Sequence, residues 1–596
     1  MFQSFAVTAR PEQGPPRLAA LREEMTVENL DGFLVPRADA HQGEYVAPRD
    51  ERLSWLTGFT GSAGFCAVLP DVAGVFIDGR YRTQVKRQVA EHFTPVPWPD
   101  ITLTDWLKEK LPQGGRVGFD PWLHTLGEIR AAEKALKGTG ISLVRSPNLV
   151  DRVWTDQPAP PAEPARPHPM EFAGESAESK CDRLAAELLK SGHRAAVITM
   201  PDSIMWLLNI RGADIPRNPL AQGFAVLHDD GRVDLYMDPR KIDGLGEHLG
   251  ERVVAHPPET FLGALDTLTG PVRVDPASVP QIVADVLADR LAEGADPCAL
   301  PKARKNAAEI AGTAEAHLRD AVAMVDLLYW LDSQAPGTVT ETQVVTRLED
   351  ARRRDNSLQD ISFETIAGTG PNGAVMHYRV TEESDSLLED GHLLVLDSGG
   401  QYLDGTTDIT RTVPVGTVGD EEKACFTRVL KGMIAMSMLR WPVGLAGRDI
   451  ECVARMPLWL AGQDFNHGVG HGVGTYLNVH EGPQRLSRVS HVPLEPGMIL
   501  SNEPGYYREG SFGIRLENLV VVEQAPALRT SDPERAMLQW RTLTYVPIDR
   551  RLVVVDMLSR EERDWLNAYH RDVADKLAPR LGEEARMWLD AATAPI

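Results

Sequence analysis

The segment LLVLDSGGQYLDGTTDITRT, residues 393–412, reads as two short strands around a turn. Leu393–Leu396 is a continuous apolar run, and Asp397 closes it. A carboxylate at the end of a buried run needs a cationic partner or a metal. Asp404-Gly405 marks a turn, so the stretches before and after it are expected to run as neighbouring antiparallel strands. Asp397 and Asp408 then face each other.

Working outward, three further donors fall in the same region. Glu503 follows the apolar Met498-Ile499-Leu500, and Glu517 lies in Gly513-Ile514-Arg515-Leu516-Glu517-Asn518. Strand alternation places Arg515 and Glu517 on one face. His467 and His471 have an i, i+4 spacing, but their context is NHGVGHGVG. Gly468, Gly470, Gly472 and Gly474 would each cost a helix about 1 kcal/mol. The two histidines are therefore expected on a glycine-rich loop or strand. Four carboxylates in one region repel each other unless cations neutralise them. With one imidazole, Asp397, Asp408, Glu503, Glu517 and His471 suit two divalent ions sharing bridging carboxylates. An oxygen-rich set leans to Mn²⁺ or a similar metal rather than to structural zinc. Two such ions can activate a water and stabilise a tetrahedral intermediate at a carbonyl.

Two other motifs are decoys. Asp397-Ser398-Gly399-Gly400 resembles the nucleophile segment of trypsin-like proteases, but Leu396 breaks the G-x-S-x-G elbow. Gly368–Gly373 fits G-x-G-x-x-G by letter, yet Pro371 sits inside it and Val375-Met376-His377-Tyr378 reads as a strand afterwards. A turn is the better reading, since a phosphate cradle needs a helix starting there. On that strand His377 taken alone reads as a core histidine.

The whole chain has 596 residues, which sets a starting expectation of about four domains. Lysine and arginine total 62 against 85 aspartates and glutamates, a net charge of −23. That balance argues against broad capture of nucleic acid or anionic lipid. Five scattered cysteines without a C-x-x-C pair point to reduced thiols. No signal-peptide pattern or apolar run of about 18 residues is present, so a cytoplasmic protein without membrane contact is expected. Gln157–Met170 holds six prolines and reads as an extended, exposed linker after a first domain over 1–156. A second domain covers 171–304. From Ile310 to Leu331 apolar residues recur at helical spacing, opening a third domain over 305–596 with α/β or α+β texture. Its Leu528–Met537 stretch reads as a solvated loop and Ser559–Leu581 as a surface helix. The first two domains look like distorted copies. Trp55-Leu56 with Gly61 is echoed by Trp206-Leu207 with Gly212, Ala67-Val68-Leu69 by Ala225-Val226-Leu227, and Asp78-Gly79-Arg80 by Asp238-Pro239-Arg240.

Residues 393–412 together with HGVGHGVG, VHEGP, NEPGYY and GIRLEN resemble the signatures of Xaa-Pro aminopeptidases of the pita-bread metallopeptidase group. The N-terminal DAHQGEYVAPRDERLSWLTGFTGSAG and DGRY extend the resemblance over nearly the whole chain, in the long, three-domain, cytosolic-type form. Gly400 is a small departure, because alanine is usual there. The resemblance implies two creatinase-like α/β domains before a catalytic pita-bread domain, and a homodimer. It implies that Asp397 chelates one metal, that His471 and Glu503 bind the second, and that Asp408 and Glu517 bridge both. His480 would bind substrate and assist proton transfer, with Glu503 acting through the water as the other proton carrier. His377 would hold the peptide carbonyl, His467 would shape the proline pocket and Arg515 would orient neighbouring acids. The implied reaction removes the N-terminal residue from peptides with proline second, using Mn²⁺, with Co²⁺ or Zn²⁺ as alternatives. The rival readings are a prolidase-like Xaa-Pro dipeptidase and a non-catalytic binding protein of the same fold.

Overall fold

The computed structural model describes residues 1–532 and 534–596. Pro533, inside the stretch read as a solvated loop, lies outside the described residues. The chain divides into two compact units, one of Thr8–Ala299 and one of Met1–Val7 with Leu300–Ile596.

The first unit holds two six-stranded sheets. Strands β1 (Gly32–Pro36), β2 (Phe65–Val68), β3 (Ala73–Ile77), β4 (Phe93–Pro97), β5 (Gly115–Phe119) and β6 (Ile141–Arg145) lie in the order β4-β3-β2-β1-β5-β6. Strands β7 (Ala195–Ile198), β8 (Phe224–His228), β9 (Val233–Tyr236), β10 (Val253–His256), β11 (Val272–Val274) and β12 (Leu291–Glu293) follow as β10-β9-β8-β7-β11-β12. Order and polarity agree pair by pair: two antiparallel pairings in the middle, with parallel strands outside. The sequence echoes fall on matching elements. Trp55 and Trp206 lie in the helices Arg52–Thr57 and Pro201–Leu208, ahead of β2 and β8. Asp78 and Asp238 each accept the backbone N–H of the arginine two residues on, both at 2.9 Å, and pair with its guanidinium. A carboxylate in that position satisfies an orphan donor of the following helical turn.

The copies differ inside. Tyr81, buried in the first, meets Ser62 Oγ at 2.7 Å. At the matching place Lys241 is buried against Asp214, 2.6 Å away. Asp214 also accepts the backbone N–H groups of Glu163 and Gln222.

The proline-rich segment departs from the expected free linker. Its prolines stay out of helices, but Arg166–Pro167 pairs with Ile210–Arg211, and Ala165 and His168 are buried. The two paired residues, Arg166 and Pro167, are themselves exposed, and the residues that flank them are the ones that pack. The two sheets also share one unit. Leu126 N–H donates to Val279 O at 3.0 Å and Gly127 N–H to Pro276 O at 2.8 Å. All five cysteines are free, and no described helix is long and apolar enough to cross a membrane.

The second unit opens with the helix Ala307–Asp332, started by a reciprocal capping pair between Asn306 and Glu309. Three antiparallel strands then follow the opening reading: β13 (Ile366–Thr369), β14 (Leu393–Ser398) and β15 (Ile409–Pro414). The register differs from that reading: Asp397 pairs with Thr410 rather than Asp408 across β14 and β15, and with Ile366 across β13. The larger sheet contains β16 (Arg440–Pro442), β17 (Gly470–Gly472), β18 (Glu481–Leu486), β19 (Ile499–Asn502), β22 (Asn518–Gln524) and β23 (Met537–Thr542), in the order β16-β23-β22-β19-β17-β18. Between them β20 (Gly505–Arg508) and β21 (Phe512–Arg515) form a hairpin. One apolar core, including Met324, Leu394, Leu396, Phe426, Leu500 and Ile514, ties sheets and helices together. Each such side chain contributes about 1.5–3 kcal/mol on full burial. Gly399, just past β14, has no room for a side chain: a Cβ there would lie 1.9 Å from Thr407 O.

Candidate metal centre

Every residue predicted from the sequence as a metal ligand lies within a strand or next to one. Asp397 is in β14, Asp408 precedes β15, His471 is central in β17, Glu503 follows β19 and Glu517 precedes β22. Ligand atoms of Asp408, His471 and Glu517 all lie within 4.8 Å of one another. His471 Nε2 is 3.4 Å from Asp408 Oδ2 and 3.4 Å from Glu503 Oε1. Arg515 Nη2 lies 2.6 Å from Asp397 Oδ2.

Hydroxyl groups hold two of these carboxylates. Thr410 Oγ1 donates to Glu517 Oε2 at 2.9 Å, and Ser501 Oγ to Glu503 Oε1 at 3.0 Å. His471 Nδ1 donates to Gly472 O at 2.9 Å, which leaves Nε2 facing the carboxylates and free to accept. Gly470 admits this packing, since a Cβ there would lie 1.9 Å from Ser501 O.

The electrostatics are those of a site built for cations. Burial pushes the Asp397 carboxyl up, opposed by Arg515. Burial likewise raises Glu503, and raises Glu517 well above the usual carboxylate range, with Asp408 adding repulsion in both cases. Burial disfavours the His471 cation, but Asp408 and Glu503 more than reverse this and lift its pKa to about 9. Asp397 Oδ1, Asp408 Oδ1 and Glu517 Oε1 are buried without a hydrogen-bond partner. Three orphaned acceptors beside one imidazole fit divalent cations, because a buried acceptor left unpaired costs about 1–3 kcal/mol, more when charged.

The remaining candidates surround this cluster. His480 lies edge-on to His471, with ring centroids 4.3 Å apart. His467 Nε2 meets Tyr507 OH at 3.0 Å, and Tyr507 OH accepts from Arg515 Nη1 at 2.7 Å. Burial pushes the Tyr507 phenol up to about 12. Arg515 therefore links the histidine side of the site to Asp397, and also donates to Met376 O at 3.3 Å. His377 follows on a half-buried turn, which corrects the strand expected there. A 3-10 helix over Gly370–Ala374 precedes it. The cause is Glu341, a buried carboxylate that gathers Thr369 N–H, Asn372 Nδ2 and Tyr378 OH at 2.7–3.0 Å and bends the chain around itself. Ser398, the decoy nucleophile, is fully buried and accepts from Arg352 Nη2 at 3.0 Å.

Sequence reasoning missed Thr410, Ser501 and Tyr507. The first two carried a signal: each stands two residues from a ligand, on the same strand face. It also missed Lys302 and Lys305, both buried and both paired with Glu481, the residue after His480.

Comparison with known proteins identifies the family. Residues 305–524 match metallopeptidase family M24, and 536–596 match the C-terminal region of peptidase M24. Residues 17–153 and 156–309 each match the creatinase/prolidase N-terminal domain. A probable Xaa-Pro aminopeptidase P of Coccidioides posadasii is 38% identical over 622 residues, covering 99% of this chain and 95% of its own length. Its counterpart from Aspergillus fumigatus is 38% identical over 97% of this chain and 92% of its own. The crystal structure of a Caenorhabditis elegans X-prolyl aminopeptidase, described as a cytosolic enzyme with a di-nuclear active site, superposes with a TM-score of 0.94 at 32% identity. It covers 98% of this chain and 100% of that one. Near-complete coverage in both directions, by relatives that share about a third or more of their residues with it, places this chain in the Xaa-Pro aminopeptidase P family of M24 metallopeptidases.

Proposed function

We infer that the protein is a metal-dependent aminopeptidase that hydrolyses the N-terminal Xaa-Pro bond of peptides. The observation that carries this reading is the cluster of Asp408, His471 and Glu517, with Glu503 against His471, Asp397 held by Arg515, and three buried carboxylate oxygens unsatisfied. Asp397 would hold one ion, His471 and Glu503 the other, and Asp408 and Glu517 both. When bound, the two divalent ions supply an activated water and polarise the scissile carbonyl. The carboxylate-rich set favours Mn²⁺ over Co²⁺ or Zn²⁺.

The chain's own groups do the rest. Arg515 holds Asp397 Oδ2 and turns Oδ1 inward, while Thr410 does the same for Glu517. His377 holds the substrate carbonyl. His480 stands beside His471 as proton carrier, with Glu503 as the other candidate. His467, fixed by Tyr507, shapes the proline wall. Proline brings no N–H to the scissile bond, so the site needs no acceptor for one.

Metal-free protein reloaded with Mn²⁺, Co²⁺ or Zn²⁺ in turn is expected to cut Xaa-Pro-Yaa tripeptides, read by release of the free amino acid. Activity confined to Xaa-Pro dipeptides would make it a prolidase. No hydrolysis with any metal would leave a binding protein.

We read the working form as a cytoplasmic homodimer, acting on peptides and engaging neither nucleic acid nor membrane. What supports the dimer is an apolar patch. Met456, Trp459, Leu460 and Val489 are 51%, 43%, 83% and 74% exposed, and Arg488 over the Trp459 ring brings the two segments together. Apolar clusters of this kind mark interaction sites. Leu460→Glu is expected to convert the sedimenting species from dimer to monomer; an unchanged mass removes this face from the interface.

A further inference from the structure

Residues Met1–Val7 belong to the unit that holds the metal centre, while the chain from Thr8 onward belongs to the other. Chain ends of this kind fray unless something ties them down, and this one is tied at four places. Gln3, 3% exposed, makes a reciprocal pair with the backbone of Thr365: its Nε2 donates to Thr365 O at 3.1 Å and its Oε1 accepts Thr365 N–H at 2.8 Å. Phe2 N–H donates to the buried Glu349 at 2.7 Å. Glu382 N–H donates to Phe5 O at 2.9 Å. Arg379, paired with Glu364, donates to Ser4 O at 2.9 Å and Ala6 O at 3.1 Å.

The anchor points are not scattered over the surface. Thr365 directly precedes Ile366, the strand partner of Asp397. Arg379 stands two residues after His377, on the same turn whose Met376 carbonyl accepts from Arg515. The segment thus grips both stretches that frame one side of the metal centre.

We propose that Phe2–Ala6 is a positioning strap for the active site, which sets where β13 and the His377 turn stand relative to the metal ligands. The proposal rests on the aminopeptidase reading of that site. A structural role alone would lower stability and leave substrate affinity alone. A positioning role moves KM, because His377 contacts substrate and a displacement of about 1 Å costs up to about 100-fold.

The test compares the intact chain with a variant lacking Phe2–Val7 and with Gln3→Ala, each loaded with Mn²⁺, on an Xaa-Pro-Yaa tripeptide. The deletion is expected to raise KM roughly tenfold with bound metal unchanged. The synthetic peptide MFQSFAV, added in trans, is expected to restore KM, and the same peptide with alanine at its third position is not. An unchanged KM, or a loss that the peptide does not reverse, overturns the proposal. Should the deletion fail to fold, Gln3→Ala carries the test, with KM expected to rise about threefold as part of the same displacement. Hydrogen exchange needs no turnover: amides of 365–369 and 376–382 are expected to exchange faster without the strap and to slow again with the peptide. Unchanged exchange overturns the strap. An intact chain that cuts no Xaa-Pro bond, yet shows the exchange change, overturns the functional reading instead.

Discussion

Asp408→Asn is expected to lower kcat/KM for an Xaa-Pro-Yaa tripeptide by more than about 100-fold, which is the ceiling for losing a mere supporting partner of a ligand. Asp408 is 3% exposed, faces His471 at 3.4 Å and keeps one oxygen without a protein partner. It also contributes repulsion at Asp397, Glu503 and Glu517 together, as a carboxylate shared by two ions would. Removing its charge should act differently on the two forms of the protein. Metal-free, the cluster loses one repelling charge while His471 loses a partner 3.4 Å away, so the variant is expected to melt close to the parent. With Mn²⁺ present, the stabilisation that binding confers on the folded state should shrink. Thr410→Val, which frees Glu517 Oε2 without removing a ligand, is expected to cost about 10–100-fold. Equal losses from Asp408→Asn and Thr410→Val would count against Asp408 as a direct ligand. The readings are metal content by elemental analysis, melting with and without Mn²⁺, and steady-state kinetics.

Arg411→Met is expected to destabilise the protein by roughly 2–5 kcal/mol, because each buried carbonyl left unsatisfied costs about 1–3 kcal/mol. Arg411 is 1% exposed and donates to six acceptors. Nε reaches Pro547 O at 3.0 Å; Nη1 reaches Thr410 O and Glu517 O at 2.9 and 2.6 Å. Nη2 reaches Asn518 Oδ1, Val546 O and Tyr569 OH at 2.8–2.9 Å. Burial pulls its pKa down, opposed by Tyr569 and Glu517. Methionine fills the volume but takes the guanidinium from Pro547 O and Glu517 O, while Thr410 O keeps Glu517 N–H and Val546 O keeps Tyr569 OH. Arg411→Lys should recover little, since an ammonium has three donors and no planar fork. Urea unfolding of the metal-free protein gives the measurement, provided the slope is unchanged. A loss below about 1 kcal/mol would mean that water satisfies those carbonyls.

How far the sequence carries can be argued from these residues. The carboxylates of the buried cluster are legible because each acid closes an apolar run or sits by a glycine turn, and strand alternation is local physics. The pairing of β14 with β15 follows from a single Asp-Gly turn. His377 is misplaced by its sequence because its turn is shaped by Glu341, at least 28 positions away from the donors it collects. The linker misleads for a similar reason: proline dictates extended chain, but only tertiary pairing with Ile210–Arg211 decides which residues are buried. Tyr507 is invisible because a tyrosine's partner cannot be read from its neighbours. The duplication is legible only in fragments, and the common strand order makes them one pattern.

That duplication has a consequence for what evolution can still do with it. The two halves have exchanged chemistry at one interior point: a neutral tyrosine–serine pair in one, a lysine–aspartate pair in the other. Copying either half over the other in part, by recombination between the repeats, would bring in the lysine or the aspartate without the partner it has in its own half. Each half has thus become a private solution, and the repeats are barred from overwriting one another piecemeal.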